Sequence, residues 1–162
     1  MTRIKGQLTT ADYLSMDAFR KLIDALEEDR KYLWATYCWL SFCTAFRASD
    51  VRSLRWKDVL NRSQLVKIEQ KTGKSRRVKF NRCVREKIRN LYELQGCPDM
   101  NRLIFMNPKT GNPYSLEHIN RLLKVWRVKY RIPVQAFSTH SFRKSFGRYV
   151  YETTNGNAGE LV

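Results

Sequence analysis

Behind Ser15, apolar residues recur at Phe19, Leu22, Ile23 and Leu26, and the run Glu27-Glu28-Asp29 closes the stretch. That i, i+3, i+4, i+7 spacing predicts an amphipathic helix beginning near Ser15. From about Tyr32 to Ala45 the pattern changes: Leu33, Trp34, Tyr37, Cys38, Leu40 and Phe42 leave no polar stripe. A helix apolar on nearly every face belongs at the centre of a core. Ser49 is expected to cap a short third helix carrying Val51 and Leu54.

Leu65–Gln70 and Arg76–Phe80 read as two short strands, joined by Lys71-Thr72-Gly73-Lys74-Ser75, with Gly73 supplying the positive φ such a turn needs. A basic helix from about Cys83 to Gln95 turns Val84, Ile88 and Leu91 inward, and Gly96 and Pro98 stop it. Leu103-Ile104-Phe105 reads as a third short strand, and 107–113 as a loop. Ser115 caps a helix with Ile119, Leu122, Leu123, Trp126 and Tyr130 on one stripe; Pro133 ends it. A last helix runs from about Thr139 to Tyr151, and residues 153–162 read as a flexible tail. The expected fold is α+β, mostly helical, with a small antiparallel sheet of about three strands, in one domain over 1–162.

Charge sharpens this picture. Thirty-one Lys and Arg face fifteen Asp and Glu, a formal net charge of +16 on 162 residues. Self-repulsion of that size points to a polyanionic partner, nucleic acid first and an anionic membrane surface second. An apolar share of 43% with 12% aromatics excludes a disordered chain, and no apolar run approaches a membrane span. The four cysteines (Cys38, Cys43, Cys83, Cys97) form no CxxC pair and read as free, reduced thiols of a cytoplasmic protein. With two histidines, His118 and His140, and no metal-ligand spacing, neither metal nor other cofactor is expected.

Arg47 follows the buried helix, where packing holds its planar fork ready for two phosphate oxygens, and Asp50 could brace it. His140 and Arg143, at i and i+3 near a helix start, point the same way, towards a helix end whose free N–H groups attract an anion. Phe142, Phe146, Tyr149 and Val150 take the opposite, apolar stripe. Lys71 sits at the hairpin tip. Around it Lys74, Arg76, Arg77, Lys79, Arg82, Arg85, Lys87 and Arg89 are opposed within 71–89 by Glu86 alone. So dense a one-signed run reads as a surface that tracks phosphates, with Lys74, Arg76, Arg77 and Lys79 on the hairpin. Arg121, Lys124, Arg127, Lys129 and Arg131 form a second basic set.

Three stretches together resemble the tyrosine site-specific recombinases, or phage-type integrases. They are Thr44–Leu54 (TAFRASDVRSL), Lys71 within Glu69-Gln70-Lys71-Thr72-Gly73, and Thr139–Gly147 (THSFRKSFG). Their order and spacing agree from about Leu8 onwards; Phe142 stands where the family usually has leucine, a change that packing tolerates. The resemblance implies that Arg47 and Arg143 clamp the scissile phosphate, that His140 assists proton transfer, and that Lys71 is general acid to the 5′ oxygen. Asp50 would support the arginines. It implies a phosphotyrosine intermediate needing neither metal nor ATP, and a tetramer on DNA for the full-length protein.

The family's next elements, a His or Trp and then the nucleophilic tyrosine, find no match before Val162; Tyr149 and Tyr151 read as structural. The chain therefore reads as a catalytic domain truncated before its nucleophile, a monomer that binds DNA without cutting it. Three other readings stand beside this one: a non-enzymatic basic DNA-binding module, a type IB topoisomerase, and a repressor that has lost its tyrosine.

Overall fold

The computed structural model describes residues 11–153. α1 (Met16–Glu28) starts where expected: the Ser15 hydroxyl accepts the Ala18 N–H at 3.1 Å, and Phe19, Leu22, Ile23 and Leu26 are buried. α2 (Tyr32–Thr44) then runs through the middle of the molecule, packed by α1 and by three later elements: α3 (Ala48–Arg52), α5 (Arg82–Leu94) and α7 (Thr139–Thr153). Its all-round apolar surface has that cause, and Ala35, Tyr37, Cys38 and Leu40 are fully buried. α4 (Trp56–Val59), a short turn of helix not foreseen in the sequence, buries Trp56 against Tyr92.

β1 (Gln64–Ile68) and β2 (Ser75–Lys79) pair antiparallel in the register Leu65↔Val78 and Lys67↔Arg76. Gly73 takes φ +70° in the turn, and its N–H closes on the Glu69 carbonyl at 2.9 Å. α5 is capped by Asn81, whose side chain accepts the Val84 N–H. α6 (Leu116–Lys129) is capped by Ser115, which accepts the His118 N–H, and buries Ile119, Leu123 and Trp126. Among the described residues no helix is long and apolar enough to cross a membrane.

Two expectations change. The sheet has two strands among the described residues: Leu103 makes only an isolated bridge to Arg55, while Ile104 and Phe105 turn into the core. Three apolar residues between turns fill space under α2, Phe105 lying 5.2 Å from Tyr37 ring to ring, and are too short for a ladder. Ser49 lies within α3, whose N-cap is Arg47 and lacks a side-chain cap bond. Thr153 ends α7; the rest of the expected tail lies outside the described residues. Of the free cysteines, Cys38 is buried and Cys43 half-buried, whereas Cys83 and Cys97 are exposed. Burial pushes the Cys43 thiol up to about 12 and the Cys38 thiol further, so neither is nucleophilic at neutral pH.

Candidate active site

The site is assembled at the corner where α2 stops. Thr44 Oγ1 donates to the Leu40 carbonyl at 2.7 Å and accepts the Phe46 N–H at 3.1 Å, so the corner is closed from inside. Between them Ala45 is left-handed, φ 54° and ψ 24°. For a residue with a Cβ that conformation costs about 1–2 kcal/mol, and it persists where surrounding contacts over-determine it. Here the contacts are two arginines: Arg143 donates Nε–H to the Ala45 carbonyl at 2.9 Å, and Arg76 Nη1 reaches the same oxygen at 3.4 Å. One strained carbonyl thereby joins α2, β2 and α7.

Arg47, two residues on, gives its Nη1 to Glu69 Oε2 at 3.0 Å and keeps a partly exposed side chain (29%). Glu69 Oε2 also accepts the Thr72 hydroxyl at 2.7 Å, and Oε1 faces Arg76 Nη1 at 3.4 Å. The Thr72 hydroxyl, then Arg47 and Arg76, hold the Glu69 carboxyl below its ordinary value, so it is an anion at neutral pH. Asp50 bonds the hairpin rather than Arg47. It is buried at the start of α3, and its Oδ1 accepts the Gln70 N–H at 3.1 Å, pinning the hairpin turn, while its charge bears on Arg143. The carboxylate bonded to Arg47 is Glu69.

α7 brings the remaining two residues. His140 is exposed, Arg143 half-buried, and they share one face at i, i+3. Burial first, then the charges of Arg143, Lys144, Arg47 and Lys71, hold the His140 imidazole below its ordinary 6.5. Positions 47, 71, 140 and 143, scattered along the chain, therefore lie within one electrostatic neighbourhood. Burial, then Arg47 and Arg76, also depress Arg143, against the opposing pull of Glu69 and Asp50. Guanidinium groups so crowded are relieved by an added anion. The N–H groups at the start of α7 contribute less than expected. Thr139 N–H is taken by Asn120 Oδ1, His140 N–H by Ser138 Oγ, and Ser141 N–H by the Ser138 carbonyl.

The pleat divides the hairpin cations. Arg76 lies on the inner face with buried Leu65 and half-buried Val78, its guanidinium 5.4 Å from the Phe46 ring centre. Arg77 and Lys79 stand on the outer, exposed face opposite Val66 and Gln64, and Lys74 lies exposed in the turn. Arg76 thus belongs to the arginine cluster and the other three to the surface around it. Several other basic residues are tied down: Lys87 to Glu27, Arg89 to Asn61, Lys129 to Asp29, and Arg127 to the Val134 carbonyl. Sequence reasoning missed Glu69, Thr72 and the Ala45 carbonyl. For Glu69 a signal existed, since it is the only acid between Asp58 and Glu86.

This helical domain with its basic two-stranded hairpin has the fold of a tyrosine recombinase catalytic core. The chain belongs to the phage integrase family, whose model matches residues 12–155. It is 30% identical over 111 residues to the Bacillus subtilis (strain 168) protein named "Probable integrase/recombinase YoeC", covering 68% of this chain and 59% of that protein. In fold it is similar to the XerA recombinase, with TM-score 0.72 and 21% identity over 91% of this chain and 53% of the other. The lambda integrase catalytic core superposes with TM-score 0.68 and 18% identity, over 93% of this chain and 90% of that one. The chain spans between half and two thirds of the length of YoeC and XerA.

Proposed function

We propose that this chain seats one phosphodiester of duplex DNA at the corner of α2, α7 and the hairpin, as part of a recombinase that cuts and rejoins strands through a phosphotyrosine. The observation that carries the reading is the network in which Arg143 and Arg76 bond the Ala45 carbonyl, Arg76 and Arg47 share Glu69, and His140 lies beside Arg143 on one face of α7. Attack on a phosphodiester builds negative charge on the non-bridging oxygens, and rigidly held guanidiniums aimed there lower the barrier. Arg47 and Arg143 take those oxygens, with Arg76 behind them. Neutral His140 keeps a lone pair for a proton, and Lys71, on its flexible stem, is placed to protonate the departing 5′ oxygen. Lys74, Arg77 and Lys79 follow the flanking backbone. Site-specific recombination in the cytoplasm, by four copies on two duplexes, is the activity this site would serve.

The tyrosines of α7 are poorly placed as nucleophiles. Tyr149 packs on Phe42 at 6.0 Å between ring centres and lies ~9 Å along the axis from Arg143; Tyr151 lies ~12 Å away. The 162-residue chain is therefore expected, as a monomer, to bind duplex without forming a covalent adduct. Titration of a short duplex at several salt concentrations should give a slope of log K against log[salt] of roughly −4 to −6, for about five or six neutralised phosphates. A slope near zero, or a denaturation-resistant adduct on a nicked duplex, would contradict the reading.

His140 makes the binding sensitive to pH. A phosphate beside the imidazole favours its protonated form, so its pKa is higher in the complex than in the free protein, where it is depressed. Between those two values binding takes up a proton, and affinity rises as pH falls. His140→Asn should flatten that profile at constant salt; identical profiles for the two proteins would remove His140 from the site.

A further inference from the structure

Glu69 contacts three segments with one carboxylate. Oε2 takes Arg47 from the α2–α3 corner and Thr72 from the hairpin turn, and Oε1 takes Arg76 from β2. Its own backbone closes the turn that carries Lys71: Glu69 N–H donates to the Lys74 carbonyl, and its carbonyl accepts the Gly73 N–H, both at 2.9 Å. Next in the chain, Gln70 N–H is pinned on Asp50. We propose that Glu69 is a positioning residue that sets Lys71 in register with Arg47, a role that rests on reading this cluster as the DNA phosphate site.

A two-stranded hairpin is marginal by itself, and a lysine on its tip samples many positions. To protonate one particular oxygen of a phosphate held by Arg47, the Lys71 ammonium must keep its place relative to that arginine. Gln70 alone separates Glu69 from Lys71, and the Glu69 side chain is bonded to Arg47 itself, so a direct mechanical path between acid and clamp passes through this carboxylate. Its side chain is only 10% exposed, which protects the charge-assisted bonds from solvent. Asp58 and Glu86 are the nearest acids in sequence, and the nearby Asp50 is engaged with the Gln70 N–H. Its three side-chain partners belong to the site or the hairpin, and none is part of the apolar core.

The test is a double-mutant cycle on duplex affinity with the 162-residue chain, comparing wild type, Lys71→Ala, Glu69→Gln and the double variant. Lys71→Ala should weaken binding roughly three- to tenfold. Glu69→Gln should weaken it by a similar factor, and the double variant should bind within about twofold of either single one. Hydrogen exchange at the Gln70 and Gly73 amides should speed up in Glu69→Gln while α2 amides stay protected. Thr72→Val, which deletes only the hydroxyl, should show a smaller loss with the same non-additivity, and it stands in if Glu69→Gln folds poorly.

Losses that multiply in the double variant would overturn the proposal, as would faster exchange throughout α2, which marks a brace for the whole fold. Lys71→Ala binding as well as wild type would sink the phosphate-site reading and this proposal with it. Failure at Glu69 alone is recognised by a Lys71→Ala defect that Glu69→Gln does not share.

Discussion

In a protein that carries this domain together with its nucleophile, Arg143→Ala is expected to slow strand cleavage about 10²–10³-fold while lowering duplex affinity only severalfold. The split follows from how the residue is held. Its Nε–H is bonded to the Ala45 carbonyl, so the guanidinium is oriented by the backbone before any substrate arrives. An oriented cation is worth most where charge develops during reaction; in ground-state binding it is one phosphate contact among several. Arg143→Lys keeps the charge but cannot bond Ala45 and fork two oxygens together, so it should recover little of the lost rate. The alanine variant also removes a neighbouring charge that depresses His140, whose titration should move up towards its ordinary 6.5. Parallel losses in cleavage and affinity would instead make Arg143 a ground-state phosphate contact. Unchanged cleavage would exclude Arg143 from the reacting phosphate.

What the sequence made legible here was what periodicity and punctuation encode. Ser15 and Ser115 cap helices because a hydroxyl ahead of an amphipathic run has an orphan N–H within reach. Gly73 marks the hairpin because the turn needs positive φ. Arg47, Lys71, His140 and Arg143 stand in motifs that mark them as candidates, although no local pattern links four positions spread over nearly a hundred residues. The misses share a cause. Glu69 looks like any strand-end acid until the hairpin folds back and Arg47 comes within 3.0 Å. Ala45 takes a left-handed conformation that its residue type disfavours, so propensity argues against the corner that gives Arg143 its acceptor. Asp50 was assigned to Arg47 by closeness in sequence, whereas on the first turn of α3 its carboxylate meets Gln70 of the hairpin. Leu103–Phe105 read as a strand because three apolar residues between turns look alike whether they pair or plug a core.

The second large effect is on stability, and it reaches the site through α7. Phe142 lies between His140 and Arg143 in sequence and points the other way, fully buried against the rings of Phe137 (5.6 Å), Phe19 (6.4 Å) and Tyr37 (6.5 Å). Removing a buried ring from such a cluster costs about 3–5 kcal/mol, partly as lost transfer energy and partly as the cavity left behind. Against a total stability of about 5–15 kcal/mol for a domain, Phe142→Ala should lower the denaturant midpoint by a large fraction of its value. Phe142→Leu, which keeps most of the volume, should cost no more than about 1.5 kcal/mol. Because α7 is fastened to α2 by this ring and to the corner by Arg143, the alanine variant should lose phosphate binding in proportion to its unfolded fraction. The leucine variant should retain binding with an unchanged salt slope. If Phe142→Ala instead melts like wild type, α7 is not seated on α2 as described, and the placement of His140 and Arg143 beside Arg47 loses its mechanical basis.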